Sequence, residues 1–506
     1  MLVATQPAIS YTPSHADAMR LFEQGDLLPI YRTYAADLET PVSVYLKLAR
    51  EGEPAFFLES VEGGEYIGRY SFIGVNPTAI LSVKDRAVTE QRDGRTNTYH
   101  LEAREDALST VRDAVKQVTP VALPELPRFI GGAVGYLAYD IVREFERLPN
   151  TATDELNIPD AAFMLVDTLV MFDHVKHQLL ILSNARNTGD PAAAYDAALE
   201  RIEAIVARLR QPLPAIPENT PPDAETFDST HSRDEFMENV QKAKEYIAAG
   251  DAFQIVLSRR MSRTTTATPL SIYRSLRMIN PSPYMFLLTF PHDDVIVIGS
   301  SPEMMVRYDV DTSVANVRPI AGTIRRGATH PEDLANEQHM LNDPKERAEH
   351  LMLVDLGRND LGRVCEYGSV SVPEMFVVER YSHVMHIVSH VEGKLRKGMD
   401  CFSLLRATFP AGTLSGAPKI RAMEIIETLE GTRRGLYGGA VGYFSYDGGM
   451  DMCITIRTIL MRGDRVYIQA GAGLVADSDP ASEYDETTNK ARAVSTAIHN
   501  AEHNLF

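Results

Sequence analysis

The chain has 506 residues, which is enough for two or three domains and a large hydrophobic core. It is 44% hydrophobic and 24% charged, as in ordinary globular proteins, and its formal net charge is −19. Because an acidic surface gains nothing from counterion release, this charge argues against a nucleic acid or an anionic membrane as partner.

The first part of the chain, residues 1–210, has the pattern of a mixed α/β layer, and we treat it as an N-terminal domain. Helical patterns are found at residues 42–50, 106–118 and 192–209. Short apolar or alternating runs predict strands at residues 55–60, 66–74, 129–140, 163–173 and 178–183.

The composition changes sharply at residues 211–231, which include five prolines and few large apolar residues. Such a segment is extended and cannot bury enough surface to fold, so it predicts a linker. Ser232 then opens a second domain, residues 232–506, with an S-R-D-E capping box at the start of a helix.

One stretch of the first part is repeated in the second. Residues 131–140 read G-G-A-V-G-Y-L-A-Y-D and residues 438–447 read G-G-A-V-G-Y-F-S-Y-D, so eight positions are identical. A glycine-rich strand allows close approach between backbones. Coincidence between two strands is the simpler interpretation, but a repeat of this length favours a duplicated or pseudo-symmetric element of a sheet.

Residues 343–360 read D-P-K-E-R-A-E-H-L-M-L-V-D-L-G-R-N-D and predict a helix. Asp343 has the position of an N-cap, Glu346 that of a capping-box partner, and Gly357 is expected to end the helix. Glu346 and Glu349 share one face. A carboxylate on a half-buried face pairs with a base or holds a metal. From this stretch alone, a surface ion pair is the better interpretation.

The three cysteines, Cys365, Cys401 and Cys453, are dispersed and form no C-x-x-C pair. This usage is typical of a reducing cytosol and argues against a thiolate zinc site. The N-terminal residues lack the features of a signal peptide, and no apolar run is long enough to cross a bilayer. We therefore expect a cytoplasmic protein.

Three glycine-containing stretches of the second part are candidate binding turns. They are R-P-I-A-G-T-I-R-R-G at 318–327, P-A-G-T-L-S-G-A-P-K at 410–419 and Q-A-G-A-G-L-V-A-D-S-D at 469–479. The amides of the third could form a nest for a carboxylate, and Glu483, Glu486 and Lys490 follow it on one helix. Taken singly, each stretch is better explained as a turn or a solvated helix face.

Together these motifs resemble the chorismate-utilising enzymes, most closely the anthranilate synthase component I family. The resemblance is dense from residue 235 to about residue 501 and thinner in the first part. It also rests on D-A-F-Q-I-V-L-S-R (251–259), N-P-S-P-Y-M-F (280–286), S-S-P-E (300–303), S-H-V-M-H-I-V-S (382–389) and E-Y-D-E-T (483–487). It implies an α/β (α+β) fold, a large layered sandwich of mixed, mostly antiparallel sheets flanked by helices, with two interleaved subdomains.

The resemblance implies chorismate as substrate and a Mg²⁺ ion held by Glu349 and Glu486. Hard oxygen ligands are what Mg²⁺ prefers, and an acidic protein needs local positive charge to bind a dianion. Arg457 is expected to bind the second carboxylate bidentately. The expected substrate-binding residues are Gly322, Thr323, Tyr437, Arg457, Gly471, Ala472, Gly473 and Lys490.

The resemblance also implies the reaction. Ammonia adds to the ring as the C4 hydroxyl leaves, and pyruvate is then eliminated to give an aromatic amine. His386 is expected to transfer a proton, and Thr413 and Glu303 to handle the leaving hydroxyl. On pattern alone, a histidine in the alternating strand V-M-H-I-V would more often be structural.

Two positions separate the sequence from other members of this group. Aminodeoxychorismate synthases commonly have a nucleophilic lysine where Ala321 is found, and isochorismate-forming relatives commonly have a water-activating lysine where Gln254 is found. Both differences favour ammonia as the nucleophile. Aminodeoxychorismate synthase component I remains the alternative enzyme, and an inactive amino-acid-sensing regulatory subunit remains the non-enzyme alternative.

The sequence contains no cysteine in the G-x-C-x-G type of turn that a glutamine amidotransferase needs. A separate glutamine amidotransferase subunit is therefore expected to supply the ammonia. The resemblance further implies feedback inhibition by L-tryptophan, at a site formed by Ser60, Pro283, Tyr284 and Met285.

Overall fold

The computed structural model describes residues 10–60, 68–381 and 384–506, and of Thr323 only the backbone. It consists of two twelve-stranded sheets flanked by helices. Every strand pair within the two sheets is antiparallel. The expectation of an α+β fold with mostly antiparallel sheets is confirmed.

The first sheet contains strands from both the first and the second part of the chain. Its strands, in spatial order, are β1 (Leu27–Ala35), β10 (Gln178–Arg186), β9 (Thr168–Asp173), β3 (Tyr70–Val75), β2 (Ala55–Glu59), β13 (Tyr284–Phe290), β14 (Val295–Ser301), β23 (Thr458–Arg462), β24 (Arg465–Leu474), β12 (Gln254–Thr264) and β11 (Asp228–Ser229), with β20 (Gly416–Ala417) also paired to β12.

The second sheet is built in the same way. Its strands, in spatial order, are β17 (Ile320–Arg325), β19 (Val384–Lys394), β16 (Val314–Val317), β15 (Met304–Asp309), β22 (Met450–Ile454), β21 (Ala440–Ser445), β7 (Gly132–Leu137), β8 (Ala161–Val166), β4 (Ala79–Lys84), β5 (Ala87–Arg92) and β6 (Arg95–His100), with β18 (Ser371–Arg380) also paired to β19.

Helices cover the outer faces of both sheets. A core cluster containing Phe56 and Phe286 of the first sheet and Tyr136 and Val441 of the second lies between them. Two further clusters pack the helices against the outer faces. The helices are α1 (His15–Leu21), α2 (Pro41–Leu48), α3 (Ala107–Val115), α4 (Pro191–Leu209), α5 (Arg233–Ala248), α6 (Pro269–Ile279), α7 (His330–Asn342), α8 (Pro344–Gly362), α9 (Cys401–Thr408), α10 (Lys419–Glu430) and α11 (Pro480–Glu502).

The helices predicted at residues 42–50, at residues 106–118 and after Ser232 are all present. Thr40, Asp106 and Ser232 each cap a helix, and each makes the reciprocal contacts of a capping box. The strand predicted at residues 66–74 is β3, and its first two residues lie outside the described part of the chain. These signals need only neighbouring residues, which explains why the sequence alone was sufficient.

The single strand predicted at residues 163–173 is wrong. Strand β8 ends at Val166 in the second sheet, and β9 begins at Thr168 in the first. Asp167, between them, accepts a hydrogen bond from the Tyr446 hydroxyl at 2.6 Å. The chain therefore crosses from one sheet to the other at Asp167 and Thr168, two polar residues between two apolar runs that the prediction had joined into one strand.

The repeated glycine-rich stretches form two neighbouring strands at the centre of the second sheet. Strands β7 and β21 pair with Gly135 opposite Gly442, so equivalent positions of the repeat lie symmetrically about this point. A Cβ atom on Gly135 would lie 1.9 Å from the Ala162 carbonyl oxygen, and one on Gly442 2.0 Å from that of Asp451. The repeat thus forms a pair of strands related by local two-fold symmetry. Gly135 and Gly442 are required because the neighbouring backbone leaves no room for a side chain.

Helix α8 differs from its prediction at both ends. Asp343 is the N-cap, but it accepts from the amides of Lys345 and Glu346 without a reciprocal contact from Glu346. Gly357 does not end the helix, because its missing side chain leaves room for Val317 on the facing sheet. Gly357 therefore serves helix–sheet packing.

The sequence boundary at residues 211–231 does not separate the sheets. Strands β2 and β13 pair across it in the first sheet, and β7 and β21 pair across it in the second. Each sheet therefore contains strands from both subdomains, which is how the two subdomains are interleaved. In the described part of the chain, no helix is long and apolar enough to cross a membrane.

Candidate active site

A cavity of about 660 Å³ opens where α8 and α11 face strands β12, β17 and β24. Its volume is within the roughly 300–1,000 Å³ range of small-molecule sites. Most of the predicted substrate, metal and catalytic residues line it, namely Glu303, Gly322, Glu349, Thr413, Tyr437, Arg457, Gly471, Gly473, Glu486 and Lys490.

One wall of the cavity is acidic. Helix α8 contributes Glu346 and Glu349, and α11 contributes Glu483 and Glu486. Burial raises the pKa of Glu346, and the nearby charges of Glu349 and Glu486 raise it further. Burial also raises the pKa of Glu483, and Glu486 adds to this effect. These carboxylates lack sufficient neutralising charge, so their all-oxygen donor set fits a hard divalent cation such as Mg²⁺.

The cavity also contains a buried guanidinium and a phenol hydroxyl. In the part of the chain that the structure describes, the Arg457 guanidinium makes no ion pair or hydrogen bond with another side chain. Burial lowers its pKa, and the proximity of Tyr437 and Glu486 opposes this shift. Burial raises the pKa of Tyr437 to about 12, so its hydroxyl is protonated at neutral pH. Arg457 and Tyr437 together suit a carboxylate ligand.

The backbone of Arg457 is itself unusual. Its φ is +51°, a left-handed conformation that is uncommon for residues other than glycine. Such conformations are found where the surrounding structure holds them for a functional position. The guanidinium is therefore fixed at the cavity by its own main chain.

Glycines keep two strands free of side chains on the cavity side. A Cβ atom on Gly471 would lie 2.7 Å from the Tyr437 hydroxyl, and one on Gly473 would lie 2.8 Å from Nε2 of Gln254. Gly322, with φ of +67°, lies at an irregularity in the pairing of β17 with β19. Glycine is thus required at Gly471 and Gly473 by close contact with neighbouring groups, and the backbone of all three residues forms part of the cavity wall.

Glu303 lies in this cavity beside Thr413. Burial raises the pKa of Glu303 to about 8, although the Thr413 hydroxyl and the Ile320 backbone lower it in part. Glu303 is therefore protonated at neutral pH and can donate a proton to a leaving hydroxyl. This supports the sequence-based choice of Glu303 with a physical reason that the sequence did not contain.

His386 is placed differently from expectation. In the described part of the chain it is not among the cavity-lining residues, and its Nδ1 lies 3.1 Å from the Gly322 carbonyl oxygen. Burial lowers its pKa, and the Arg457 charge lowers it further. The imidazole is therefore mainly neutral at neutral pH and contacts the cavity wall at Gly322.

Ala472 and Thr323 were also predicted to bind the substrate. Ala472 alternates with Gly471 and Gly473 along β24, so its methyl group lies on the other face, in a core with Leu257. A substrate could therefore reach only its backbone. The side chain of Thr323 lies outside the described part of the chain.

Sequence reasoning also missed residues that line the cavity. Glu346 was assigned to helix capping and to the helix face of Glu349, but not to the site. Gln254, whose Nε2 donates to Glu349 Oε1 at 3.2 Å, was used only for comparison with relatives. Arg325, Lys345 and Asn489 were not considered, and Glu483 was named only as a neighbour of Glu486 on its helix. The further lining residues are Arg325, Lys345, Glu483 and Asn489.

A second cavity of about 340 Å³ lies between the sheets and contains all four residues predicted to bind an inhibitor. The Ser60 hydroxyl is buried there and has no hydrogen-bond partner among the described residues. The Tyr284 hydroxyl donates to Asp451 at 3.0 Å, and Arg307 forms an ion pair with Asp451 at 2.8 Å. Pro283 provides apolar lining. Met285 alternates with Tyr284 along β13, so its side chain lies on the other face of the sheet, in the core beneath the outer helices, and only its backbone reaches the cavity.

The sequence is similar to known enzymes over nearly its whole length. The family profile described as chorismate binding enzyme matches residues 53–496. The chain belongs to the chorismate-binding enzyme family. Within this family it is 46% identical to anthranilate synthase component 1 of Synechocystis sp., over 96% of this chain and 99% of that protein. It is 45% identical to anthranilate synthase component 1 of Acetivibrio thermocellus, over 94% of this chain and 96% of that protein.

Solved structures agree with this assignment to the chorismate-binding family. Anthranilate synthase component I of Streptococcus pneumoniae superposes with a TM-score of 0.76 at 34% identity, covering 91% of this chain and 98% of that one. The menaquinone-specific isochorismate synthase of Escherichia coli superposes with a TM-score of 0.70 at 17% identity, covering 96% and 98%. The second likeness concerns the fold alone.

Proposed function

We propose that this chain is the chorismate-converting component of an anthranilate synthase. It converts chorismate and ammonia into anthranilate, pyruvate and water. This proposal rests mainly on the 660 Å³ cavity, which contains the unpaired Arg457 guanidinium and four clustered carboxylates. A dianionic substrate can be bound there by one fixed cation and one exchangeable metal ion.

Glu349 and Glu486 would hold the Mg²⁺ ion, with Glu346 and Glu483 close by. When bound, the ion supplies positive charge that neutralises a substrate carboxylate. Arg457 and Tyr437 bind the other carboxylate, and Gly471 and Gly473 leave room for the ring.

Proton transfer is assigned to Glu303 and His386. Protonated Glu303 donates to the C4 hydroxyl, which leaves as water while ammonia bonds to the ring. The mainly neutral imidazole of His386 accepts a proton during elimination of pyruvate, acting at the wall formed by Gly322. The Thr413 hydroxyl, which has no hydrogen-bond partner among the described residues, lies beside Glu303 and is free to contact the leaving hydroxyl.

The alternative enzymes differ from this proposal in the group that attacks the ring of the substrate. Ala321 lines the cavity but has no group that could attack the ring, and Gln254 is held by Glu349 and cannot act as a base. Ammonia is therefore the nucleophile, which disfavours an aminodeoxychorismate synthase that forms a covalent lysine adduct. An inactive sensing subunit would not need a protonated carboxyl at a metal-binding cavity.

The ammonia comes from a separate subunit in this proposal. The relatives are named as component 1 of their enzyme, and the partner expected here is a glutamine amidotransferase. All three cysteines of this chain are buried, and burial raises the thiol pKa of each, so none is an activated nucleophile.

The 340 Å³ cavity is the proposed site for L-tryptophan. Ser60 offers an unpartnered hydroxyl to the polar end of the ligand, and Tyr284 and Pro283 offer surfaces to an indole. Its cationic and anionic side chains are already paired, so it suits a ligand with no net charge, such as an amino-acid zwitterion.

A short chain of hydrogen bonds connects this cavity to Arg457. Ser300 Oγ donates to Ser282 Oγ at 2.8 Å, in the turn before Pro283. The Ser300 amide donates to the Arg457 carbonyl oxygen at 3.2 Å. Tryptophan binding at Pro283 and Tyr284 can therefore alter the main chain that holds Arg457. Coupling of about 1–3 kcal/mol would weaken chorismate binding by roughly 5–150-fold, and the effect must be reciprocal.

The test is anthranilate fluorescence in a mixture of the purified chain, chorismate, Mg²⁺ and an ammonium salt. We expect anthranilate without any amidotransferase, and no product after chelation of Mg²⁺. Formation of aminodeoxychorismate instead would favour the alternative enzyme, and absence of any chorismate consumption would favour the sensing subunit.

A further inference from the structure

A histidine pair at the end of the last helix lies against a carboxylate of the extended segment 211–231. Nδ1 of His499 lies 2.6 Å from Oε2 of Glu225, and Nε2 of His503 lies 2.8 Å from its Oε1. The two imidazole centroids are 4.4 Å apart. One donor atom from each of the three side chains lies within 4.8 Å of the other two.

The extended segment is anchored on both sides of Glu225. On one side, Asn219 Nδ2 donates to the Ala501 carbonyl oxygen at 2.9 Å, and the Asn219 amide donates to Asn504 at 3.0 Å. On the other side, Asp228 pairs with Arg465 at 3.0 Å. The carboxylate is therefore held at the histidine pair by contacts that do not involve either histidine.

The position also favours positive charge. His499 is in the last turn of α11, a helix of 23 residues, and His503 is its C-cap. The carboxyl end of a helix is the negative end of its dipole, which stabilises a cation.

We infer that Glu225, His499 and His503 form a binding site for a divalent transition-metal ion such as Zn²⁺. Zn²⁺ takes imidazole nitrogen and carboxylate oxygen at about 2.0–2.2 Å, and commonly has three protein ligands and a water. The present hydrogen bonds are slightly shorter than the ligand separations in such a site. The side chains are partly exposed (39% for Glu225, 43% for His499), so they can move apart by the small amount required. Metal binding then displaces the protons between the imidazoles and Glu225, which pass to the other ring nitrogens or to solvent.

This site is separate from the catalytic cavity. His499 follows Glu486 by thirteen residues on the same helix, which corresponds to about 20 Å. The two sites also differ in chemistry, because imidazole suits Zn²⁺ while Mg²⁺ prefers oxygen ligands alone. A metal here would hold the extended segment to the end of α11 and would not take part in the reaction.

The experiment is a calorimetric titration of the chelator-treated full chain with Zn²⁺, in excess Mg²⁺ to fill the acidic cavity. We expect one equivalent to bind with micromolar or tighter affinity. The double variant His499→Gln/His503→Gln should bind at least tenfold more weakly, whereas the control His330→Gln/His339→Gln, at exposed positions of α7, should bind as the native chain does.

Titration with Co²⁺ gives a second readout, since nitrogen ligation in a four-coordinate site produces intense visible absorption. That absorption should be lost in Glu225→Gln, a variant that retains a hydrogen-bonding side chain. Unchanged Zn²⁺ affinity in the double histidine variant, or binding only at millimolar Zn²⁺, would overturn the inference. Neither result bears on the proposed catalytic activity.

Discussion

The two cavities of this protein differ in how their charges are balanced. Each charged side chain that lines the 340 Å³ cavity has an oppositely charged partner, in the pairs Glu59–Arg277, Arg69–Asp173, Arg128–Asp309 and Arg307–Asp451. Within the described part of the 660 Å³ cavity, the ion pair is Lys490–Glu486 at 2.6 Å, and its other charges are unpaired.

This difference indicates what each cavity can bind. Unpaired charges in a partly desolvated site interact strongly with an incoming ion, so the larger cavity suits a dianion and a metal. A cavity whose charges are already paired selects by shape and hydrogen bonding. It therefore suits a zwitterion with a large apolar side chain, and substitutions in the two cavities should have different effects.

The largest effect is expected from Glu486→Gln, which removes a carboxylate ligand of the proposed metal site, one that pairs with Lys490 at 2.6 Å in the structure. Turnover should fall by roughly 10²–10³-fold or more, since a preorganised electrostatic contact is lost. Steady-state anthranilate fluorescence across a Mg²⁺ series measures this. Glu238→Gln, on an exposed ion pair of α5, is the control and should retain full activity. Near-normal Mg²⁺-dependent turnover in Glu486→Gln would refute the metal assignment.

His386→Ala tests whether proton transfer depends on a residue at the cavity wall. We expect a loss of roughly 10²-fold in anthranilate formation, the scale of general acid–base catalysis. Elimination should suffer most, so an amino intermediate that has not become aromatic should accumulate and be visible by chromatography. A native yield of anthranilate would exclude His386 from the mechanism.

The proton on Glu303 predicts the alkaline limb of the pH profile. Because burial raises its pKa to about 8, the donor is protonated below pH 8 and is lost above it. At a fixed concentration of free ammonia, the rate should fall about tenfold per pH unit above 8. Glu303→Gln should be slower and lack this limb. A limb that persists in Glu303→Gln belongs to another group.

Ser60→Arg should affect the smaller cavity alone. The long side chain fills space that the ligand needs, so the inhibition constant for tryptophan should rise at least tenfold while turnover without tryptophan is largely retained. Initial rates with and without tryptophan provide the measurement. Equal sensitivity in this variant, or no inhibition of the native chain at millimolar tryptophan, would refute the site.

Ser300→Ala is expected to have the smallest effect, because it weakens the connection between the cavities without filling either. Tryptophan should still bind, as measured by calorimetry, but should reduce chorismate affinity several-fold less than in the native chain. A parallel loss of tryptophan binding would show that Ser300 supports the inhibitor cavity and not the coupling.

The sequence predicted those parts of the molecule that depend on neighbouring residues. Helix caps at Thr40, Asp106 and Ser232 are local, and the ordered motifs identified most residues of the larger cavity. Ala472 could have been excluded, since alternation along a strand places it opposite to Gly471 and Gly473.

Other features required the folded chain. The change of sheet at Asp167 and the packing of Gly357 against Val317 depend on partners distant in sequence. The same holds for the raised pKa of Glu303, which follows from burial. The pairing of charges in the smaller cavity joins residues far apart along the chain, such as Glu59 and Arg277.

The pairing of β7 with β21 has a consequence for synthesis on the ribosome. Strand β7 leaves the ribosome about 300 residues before β21, a delay of roughly 15–60 s at usual elongation rates. During this time the inner edges of β2 and β7 have no partner strand and resemble the open edges that promote aggregation. The proline-rich segment 211–231 therefore does not mark a point at which the nascent chain has completed a stable unit. Native-state stability is acquired only when the C-terminal strands arrive, and the first 210 residues made alone are expected to depend on chaperones.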